Sequence, residues 1–517
     1  MRRLAALGIL VSAALACVPA LAGATLPDPP PVRGARLVVG SKAFPESWVL
    51  GEALATLARR EGLSVEHRSN LGGTEIVFQG LRSGAVDAYP EYTGTISEVI
   101  LHRSGHPSLA DMRAALAEMG VGISEPLGFN DGYALAVTNA TADRLGVTKL
   151  SDLARHPELR LGLTHEFLGR PDGYPGLARA YDLRLPNVRG IQHELAYGAI
   201  ASGMVDVIDI YTTDAQIARL GLHVLEDDRG FFPRYDAVWL YRLDLESRSP
   251  AALAAMRKLE RRIDEATMIA ANVRVVLGGQ TPAQSADSLL LSALPADSSA
   301  APVATASKPA GVGAGIVANT IQHLKLVGLS LLAAILIGVP LGVLAARARW
   351  LAAATLTGAG LLQTIPSLAL LAFLIPLLGI GVGPALVALF LYSLLPIVRN
   401  TYVGLTTISP ALTESAAALG LSPTAQLWRV RLPMASPAIM AGIKTSAVIN
   451  VGTATLAALI GAGGLGDPIL AGIQLRRTSL ILEGAVPAAL LALVVQWAFD
   501  GLDRLVIPRG LRLPSAN

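Results

Sequence analysis

The chain has 517 residues, of which 52% are hydrophobic and only 16% are charged. Soluble domains usually carry about 25% charged residues, so this composition argues against a single soluble globule and against a disordered chain. The charge is unevenly distributed, because residues 1–310 carry a net charge of −4 and residues 311–517 a net charge of +7. No run of Lys and Arg with interleaved aromatic residues occurs, which argues against a nucleic-acid-binding protein. The single cysteine, Cys17, excludes an intrachain disulfide framework and a multi-thiolate metal site.

The first 22 residues have the pattern of a secretory signal peptide. Arg2 and Arg3 precede an apolar run over residues 4–16, and Ala20-Leu-Ala22 is a small-residue cleavage signal. The apolar run is short for a membrane span, so an uncleaved anchor is the weaker alternative. We expect cleavage after Ala22, which would place the residues that follow outside the inner membrane.

Residues 35–292 have the pattern of an α/β domain. Short apolar runs of β type alternate with helical periodicity, which predicts a sheet with helices on both faces. Helices are predicted over 45–61 and 70–83, and strands over 36–40, 63–67, 84–89, 132–138, 160–163, 204–210 and 237–242. No apolar run in this part approaches the ~20 residues that a membrane helix needs, so we expect a soluble domain.

Known catalytic motifs are missing from the sequence. It contains neither the Gly-x4-Gly-Lys-Ser/Thr loop that binds phosphates nor the Gly-x-Ser-x-Gly turn of a nucleophilic serine. The eight histidines are scattered rather than clustered. Residues 461–466 formally satisfy Gly-x-Gly-x-x-Gly, but this string closes an apolar helix and no soluble strand precedes it. We therefore predict no catalytic residue, no cofactor and no metal.

Tyrosines recur at the ends of predicted elements in the α/β domain. Tyr92, Tyr133, Tyr211 and Tyr235 each border an apolar strand-like run, where loops place ligand contacts. The negative π face of a tyrosine ring suits a cation that has no N–H group to donate. The alternative is that each tyrosine is ordinary amphipathic packing.

Four strings in this domain carry a family resemblance. They are Gly40-Ser-Lys-Ala-Phe-Pro-Glu46, Pro90-Glu-Tyr-Thr-Gly-Thr95, His165-Glu-Phe-Leu-Gly-Arg-Pro-Asp-Gly173 and Asp209-Ile-Tyr-Thr-Thr-Asp214. Together they resemble the osmoprotectant-type substrate-binding proteins of ABC importers, which bind glycine betaine, choline, carnitine and similar quaternary amines. The resemblance implies an α/β two-lobed periplasmic-binding-protein fold of type II, with the ligand between the lobes.

The resemblance also implies a site with two halves. An ammonium cage would comprise Tyr92, Tyr133, Tyr211, Tyr235 and Asp131, and a carboxylate clamp would comprise Lys42, Thr95 and Arg170. A site that complements both halves of a zwitterion favours a betaine over choline, which lacks the carboxylate. Carnitine, proline betaine and ergothioneine share the same pattern and stay open. The alternatives are a solvated Lys42, an ion pair of Arg170 with Asp172, and a simple turn at Asp131.

Beyond this domain, a Pro/Ala/Ser/Gly-rich stretch over 293–316 predicts a flexible linker. The region 317–507 then predicts an all-α transmembrane domain. Its five predicted helices cover about 322–346, 352–377, 383–403, 438–460 and 481–506. Gly338-x3-Gly342 in the first of them would allow close helix packing.

The positive-inside rule predicts how the helices of this region are oriented in the membrane. If the α/β domain lies outside, the first helix ends inside beside Arg347 and Arg349, and the third ends inside near Arg399. The C-terminus is then also inside, whereas Arg476 and Arg477 are exceptions that fall outside. We expect a multi-pass inner-membrane protein with a cytoplasmic C-terminus.

The long inside segment 411–434 carries a second resemblance. Its string Glu414-Ser-Ala-Ala-Ala-Leu-Gly420, followed by Leu432-Pro433, is similar to the EAA loop by which ABC importer permeases dock on their ATPase. Glu414, Ala416, Gly420, Leu432 and Pro433 match the pattern, and Ser415 departs from its usual Ala. The resemblance implies a short helix, a glycine turn and a second helix, and a separate cytosolic ATPase in two copies.

Taken together, the sequence predicts a binding domain fused to an ABC importer permease for a betaine-type compound, with a homodimer of the permease part forming the pore. A membrane-bound ligand sensor is the first rival, but no signalling segment follows residue 507. A membrane enzyme acting on choline-like substrates is the second rival. It requires a base, a nucleophile or a metal site that the sequence does not supply.

Overall fold

The computed structural model describes residues 36–103, 107–294, 312–475 and 477–511. The predicted signal peptide 1–22 lies outside the described residues, as do positions 295–311 of the predicted linker. The described chain divides into two compact units, one built mainly from the residues before the linker and the other mainly from the residues after it.

The first unit contains two five-stranded sheets. The strands are β1 (Arg36–Gly40), β2 (Ser64–Arg68), β3 (Ala88–Tyr92), β4 (Val121–Ile123), β5 (Tyr133–Thr138), β6 (Arg160–Thr164), β7 (Asn187–Ile191), β8 (Val207–Tyr211), β9 (Leu222–Val224) and β10 (Ala237–Arg242). One sheet has the order β2-β1-β3-β10-β4, and we call it with its helices the first lobe. The other has the order β7-β6-β8-β5-β9 and belongs to the second lobe.

Parallel and antiparallel pairs occur in both sheets. In the first lobe, β1 runs parallel to β2 and β3, and β10 is antiparallel to β3 and β4. In the second lobe, β6 runs parallel to β7 and β8, and β5 is antiparallel to β8 and β9. Parallel strands are usually buried on both faces. Accordingly, Leu37 and Val39 of β1 and Leu161 and Leu163 of β6 are fully buried.

Helices cover the sheets. They are α1 (Pro45–Arg60), α2 (Thr74–Arg82), α3 (Thr93–Thr95), α4 (Leu109–Ala117), α5 (Asn139–Leu145), α6 (His165–Gly169), α7 (Tyr174–Ala180), α8 (His193–Ala201), α9 (Gln216–Leu220), α10 (Leu245–Arg248), α11 (Pro250–Arg257), α12 (Glu265–Val276) and α13 (Pro282–Ala293). A π-helical turn covers Ile96–Ile100 and a 3-10 helix covers Leu150–Arg155. Helices α11, α12 and α13 pack on α1 and so complete the first lobe.

The chain crosses between the lobes in two adjacent extended segments. A β-bridge joins Asn130 to Asp236, and the Asp131 N–H donates to the Tyr235 carbonyl at 3.1 Å. Two lobes joined by paired crossing segments are the architecture that the sequence predicts, and the type II binding-protein fold is thereby confirmed. The crossing places Asp131 and Tyr235 directly between the lobes.

The third strand begins four residues later than the predicted 84–89. Gly84 has a φ of +79°, and Asp87 accepts the Val38 N–H at 2.7 Å with its side chain. These two features take up positions 84–87, at the start of the predicted strand. The pairing of β3 with β10 therefore runs from Ala88 to Tyr92. The shift makes Tyr92 the last residue of the strand, next to the cleft.

The second unit is helical. Its helices are α14 (Val312–Ala345), α15 (Arg349–Thr364), α16 (Ser367–Leu378), α17 (Val382–Thr406), α18 (Pro410–Ala418), α19 (Pro423–Gln426), α20 (Leu432–Thr453), α21 (Gly466–Gln474) and α22 (Thr478–Val506). A π-helical turn over Leu427–Arg431 joins α19 to α20, and 3-10 helices cover Ala454–Ile460 and Arg509–Leu511. In the part of the chain that the structure describes, four segments are long and apolar enough to span a membrane. They are Gly313–Ala345, Val382–Thr406, Pro423–Ile460 and Thr478–Val506.

The predicted second span is broken. Residues 352–377 fall in α15 and α16, which meet at an angle of 97° and form either one broken span or a re-entrant loop. The break lies at Ile365-Pro366, where Ile365 has extended backbone with a ψ of 124°. Proline disfavours helical backbone in the residue before it, and the Tyr392 hydroxyl donates to the freed Ile365 carbonyl. The second span therefore differs from the continuous helix that apolar composition predicts.

Close packing of α14 on α17 depends on two glycines. A Cβ atom on Gly338 would lie 2.9 Å from Ile397 Cγ2, and one on Gly342 would lie 2.5 Å from Thr401 Cβ. Both distances are shorter than side chains tolerate, so the Gly338-x3-Gly342 spacing lets these two helices approach each other closely.

The segment predicted to dock an ATPase forms two helices with a glycine between them. Helix α18 ends just before Gly420, which has a φ of +77°, a conformation that favours glycine. Helix α19 then continues through the π-helical turn into α20. A movement of α19 would therefore be transmitted directly to a segment that is long enough to span a membrane.

Candidate ligand-binding site

The predicted ligand-binding residues all lie where the two lobes face each other. Tyr92 ends β3 and Tyr211 ends β8, whereas Tyr133 begins β5 and Tyr235 precedes β10. Because β5 and β10 are antiparallel to their neighbours, strand starts and strand ends share one edge of each sheet. Ligands of α/β sheets bind at such edges.

The four tyrosine rings belong to one connected aromatic cluster. The Tyr133 ring centroid lies 5.1 Å from that of Tyr211 and 5.6 Å from that of Tyr235, with interplanar angles of 50° and 78°. The Phe44 ring connects Tyr92 to this group, at 6.2 Å from Tyr92 and 6.0 Å from Tyr211. Rings at these angles present both faces and edges to one another.

Aromatic side chains that the sequence analysis did not assign complete the cluster. Phe44 belongs to the first family-like string, and Phe167, which packs on Tyr133 at 5.1 Å, belongs to the third. His193 packs on Tyr211 with ring centroids 4.6 Å apart. Both phenylalanines belong to strings that carry the family resemblance, so their place in those strings could have identified them as site residues from the sequence. No sequence motif points to His193.

The phenol groups of the site are neutral. Burial is the main cause that raises the pKa of Tyr92, Tyr133, Tyr211 and Tyr235 above the ordinary tyrosine value. The Tyr92 hydroxyl donates to Glu46 at 2.6 Å, and the Tyr235 hydroxyl donates to Asp172 at 2.6 Å. These bonds fix the orientations of the rings.

Arg170 is positioned by a short chain of hydrogen bonds that begins in the second sheet. Asp209 of β8 accepts from the Thr164 N–H and the Thr164 hydroxyl, both at 2.7 Å. The same hydroxyl accepts the Phe167 N–H and caps the N-terminus of α6. Arg170 follows the last residue of α6, so this capped helix carries it to the cleft.

The Arg170 guanidinium points at the first lobe and at the tyrosines. It lies 5.2 Å from the Tyr133 ring centroid, and Nη1 and Nη2 are both 3.4 Å from Thr95 Oγ1. Burial alone would lower the pKa of Arg170, but the Asp172 and Glu166 carboxylates raise it above its usual value. The guanidinium is therefore charged.

Arg170 also makes the ion pair that was the alternative to a ligand role. Its Nε and Nη2 atoms bind the two Asp172 carboxylate oxygens at 2.8 and 2.5 Å. The contacts of Nη1 to Thr95 and to Glu166 are long, at 3.4 and 3.3 Å. A guanidinium has five N–H donors, so donors on this side can still bind an anion.

Lys42, a predicted clamp residue, already binds a carboxylate of the protein that would compete with a ligand carboxylate. Its Nζ forms an ion pair with Glu91 at 2.5 Å, and both side chains are buried. Nζ also donates to Thr74 at 3.3 Å and lies 5.1 Å from the Tyr92 ring centroid. Lys42 is thus not a solvated surface lysine. Its charge is already balanced by Glu91.

Asp131 lies in a buried polar group that bridges the lobes. Thr213 of the second lobe contacts Asp131 Oδ1 through its hydroxyl at 2.8 Å and through its N–H at 3.2 Å. The Thr213 hydroxyl also lies 2.6 Å from Glu46 Oε2, and Asn272 Nδ2 donates to that oxygen at 2.9 Å. Glu46 and Asn272 belong to the first lobe, so these bonds hold the lobes together. The sequence analysis assigned no role to Glu46, although it ends the first family-like string.

The arrangement offers charged and aromatic surfaces to a small molecule. Among the residues that the structure describes, no three His, Cys, Asp or Glu side chains are placed to hold a metal ion. Asp131 is joined to the aromatic cluster through its N–H, which donates to the Tyr235 carbonyl, and the charged Arg170 guanidinium lies 5.2 Å from the Tyr133 ring centroid. Such a pair of surfaces can hold a small molecule with a cationic and an anionic end.

The predicted docking residues lie within α18, in the turn that follows it and at the start of α20. Glu414 is exposed and Ala416 is buried. Leu432 and Pro433 are the first two residues of α20. Two large apolar side chains in the same segment are open to solvent, with Leu419 82% exposed and Trp428 67% exposed. Exposed apolar side chains beside charged ones are typical of a protein-binding surface.

Two family matches cover most of the described chain. Residues 35–290 match the substrate-binding domain of the ABC-type glycine betaine transport system. Residues 338–511 match the inner membrane component of binding-protein-dependent transport systems. Fold, site and matches define the class, a binding protein joined to the membrane component of an ABC importer.

Individual relatives refine this assignment. The permease part is 43% identical to the choline transport system permease protein OpuBB of Bacillus subtilis over 200 residues, which are 39% of this chain and 92% of the relative. It is 47% identical to the osmoprotectant import permease protein OsmW of Salmonella typhimurium, covering 38% of this chain and 95% of the relative. The first unit matches a solved glycine betaine/carnitine/choline ABC transporter structure at 28% identity and a TM-score of 0.43, covering 49% of this chain and 97% of that one. The chain belongs to the osmoprotectant ABC importer family, with the substrate-binding domain and the permease domain fused in one inner-membrane polypeptide.

Proposed function

We propose that this chain captures a quaternary-ammonium betaine, with glycine betaine as the leading candidate, and delivers it through its own permease domain. The observation that carries the proposal is the tyrosine cluster beside Asp131 with the Arg170 guanidinium 5.2 Å from the Tyr133 ring centroid. A trimethylammonium group has a fixed charge and no N–H, so aromatic faces and a carboxylate are its natural partners. Each desolvated ring contributes about 0.5–2 kcal/mol to such binding.

The guanidinium supports a betaine over choline. A betaine has a carboxylate that Arg170 can bind through donors that now make only long contacts with Thr95 and Glu166. Choline offers a hydroxyl there and adds no negative charge to the Asp172 and Glu166 carboxylates that already face the guanidinium. Carnitine and ergothioneine also carry both charged ends and are the runner-up ligands.

We further propose that α15 and α16 together form one broken span. With the binding domain outside, five crossings place the segment from α18 to α20 and the C-terminus in the cytoplasm. Four crossings would instead leave Glu414 outside, away from ATP. Arg429 and Arg431 near that segment favour the cytoplasmic side. A separate ATPase then docks on the exposed Leu419 and Trp428 side chains, and two copies of the chain form the pore.

The binding proposal is tested by calorimetry on the purified full chain in lipid nanodiscs. We expect saturable binding of glycine betaine, and a loss of about tenfold in affinity for Tyr211→Ala because one ring face is removed. Tyr211→Phe keeps the ring and loses only a 3.5 Å hydroxyl contact with Tyr133, so its affinity should stay within about threefold. If neither glycine betaine, choline, carnitine nor ergothioneine binds at millimolar concentration, the proposed function is wrong.

The docking proposal is tested by ATP-driven uptake of labelled glycine betaine into membrane vesicles from cells that express the chain. Glu414→Ala should reduce uptake roughly tenfold or more, because the loss of one partner from a charge pair at an interface typically costs 2–5 kcal/mol. Ser415→Ala changes an exposed neighbour on the same helix and should leave uptake unchanged. Glycine betaine affinity should be equal in both variants. Equal uptake by Glu414→Ala and the unaltered chain would contradict a docking role for Glu414.

A further inference from the structure

One hydroxyl group lies between two buried carboxyl groups at the junction of the lobes. Thr213 Oγ1 is 2.6 Å from Glu46 Oε2 and 2.8 Å from Asp131 Oδ1. Glu46 and Asp131 are 3% and 6% exposed, so water cannot easily complete their hydrogen bonding. Both distances are those of O–H···O hydrogen bonds.

The number of hydrogen atoms available to Thr213 limits which protonation states allow both contacts. A threonine hydroxyl has one hydrogen and can donate it to only one of the two carboxyl groups. If both carboxyl groups were ionised, one of the two short contacts of the Thr213 hydroxyl would join two oxygens with no hydrogen between them. Both short contacts are satisfied when one carboxyl group is protonated and donates to Thr213, while Thr213 donates to the other.

The surrounding donors decide which group carries this proton. Glu46 accepts from the Tyr92 hydroxyl at 2.6 Å and from Asn272 at 2.9 Å, in addition to its contact with Thr213. Within the described chain, the contacts of Asp131 Oδ1 are the Thr213 hydroxyl and the Thr213 N–H, the latter at 3.2 Å. More donors favour the ionised form, so Glu46 is the carboxylate and Asp131 is the protonated acid.

Nearby charges leave this proton in place. The Lys42 and Arg170 cations and the His193 imidazole lie close to the cleft, and each of them contacts a carboxylate. The pairs are Lys42 with Glu91, Arg170 with Asp172, and His193 with Asp214. Burial, followed by the charges of Glu46 and Asp214, raises the pKa of Asp131 well above the usual aspartate value. Burial likewise raises the pKa of Glu46, against the hydrogen bonds from Thr213, Tyr92 and Asn272 that lower it.

We propose that the Glu46–Thr213–Asp131 group holds one proton in the ligand-free protein and releases it from Asp131 when a quaternary ammonium enters the tyrosine cluster. The proposal rests on the proposed function, since it needs a cationic ligand beside Asp131. On release, the Asp131 O–H bond breaks and the proton passes to solvent. The ammonium then takes the place of the proton as the positive charge that balances the two carboxylates.

Proton release makes ligand affinity depend on pH. Asp131 has the higher pKa in the free protein and the lower pKa in the complex, so the ligand binds more tightly as the pH rises. Between these two pKa values, affinity should change about tenfold per pH unit, the slope expected for one proton. Below both values, the ligand binds a protein whose Asp131 stays protonated, and the dependence levels off.

The test is calorimetry of glycine betaine binding to the full chain in nanodiscs, at one pH, in buffers with different ionisation enthalpies. The slope of the observed heat against buffer enthalpy should give a release of up to about one proton per ligand. Asp131→Asn cannot ionise and should release none. Thr213→Ser keeps the hydroxyl and should release as many protons as the unaltered chain, whereas Thr213→Val removes the shared hydroxyl and should release fewer.

Two results would overturn the shared proton and leave the proposed function intact. One is tight glycine betaine binding without proton exchange at any pH at which the folded chain binds the ligand. The other is undiminished proton release by a folded Asp131→Asn variant. Failure of the unaltered chain to bind any quaternary ammonium would instead overturn the proposed function, and the shared-proton proposal with it.

Discussion

Arg170→Ala should weaken glycine betaine binding about 100-fold, or ~2.8 kcal/mol at 1.4 kcal/mol per factor of ten. The guanidinium is the cation placed to receive the ligand carboxylate, and charge-assisted bidentate bonds are among the strongest in proteins. Its removal also leaves Asp172 buried, with the Tyr235 hydroxyl as its remaining bond at the site. The measurement is calorimetry of the full chain in nanodiscs.

The affinity of the variant for choline distinguishes the loss of carboxylate binding from damage to the fold. Because choline has no carboxylate, its affinity should change by less than about tenfold in Arg170→Ala. Arg160→Ala is the matched control, since Arg160 binds Asp206 bidentately in the same lobe but is exposed. It should leave both affinities unchanged. An equal loss for both ligands in a protein with an unchanged melting temperature would show that Arg170 does not recognise the carboxylate.

The second large effect is expected from a single methyl group at Gly173. A Cβ atom there would lie 2.0 Å from the Phe167 carbonyl oxygen and 3.2 Å from the Arg170 carbonyl oxygen. Both are backbone atoms of the turn that carries Arg170, so the turn itself must move. Gly173→Ala should destabilise the binding domain by about 1–3 kcal/mol, the usual cost of forced overpacking. It should also weaken glycine betaine binding, because the guanidinium moves with the turn.

Gly169 provides the control within the same string. A Cβ atom at Gly169 meets nothing within 4 Å, and the residue is the last of α6. Gly169→Ala should therefore be neutral or slightly stabilising, since alanine has fewer unfolded conformations to lose. Thermal unfolding and calorimetry of the two variants measure both effects. Equal melting temperatures for the two variants would contradict the steric argument.

Much of the binding domain could be predicted from local sequence patterns. Apolar strand runs predicted an α/β domain, and the family resemblance implied its two lobes. The four family-like strings contained Tyr92, Tyr211 and Arg170, which the fold brings to one cleft. The exact start of β3 could not be predicted, because Asp87 uses its side chain to bind β1 from a position that looks like strand. The break at Pro366 was likewise not predicted, because the segment 352–377 as a whole is long and apolar enough for one continuous span.

Interactions between distant residues account for the rest. The pairing of Lys42 with Glu91 spans 49 residues, and the contact of Glu46 with Thr213 spans 167. Neither follows any periodicity, because the two members of each pair lie in different elements and meet only after the lobes have formed. Residue type and family resemblance identified the members of the site. Only the folded structure shows which charges are already balanced.

The two separately packed units belong to one polypeptide, and this fixes their ratio at one to one. In the proposed importer, every permease domain carries its own receptor at an effective concentration of about millimolar, the usual range for a short covalent connection. Uptake would then saturate with the external ligand alone and would not depend on how much receptor the cell makes. Surplus empty receptors could not compete for a limited number of pores, so such a cell would adjust receptor and pore together through the copy number of one polypeptide.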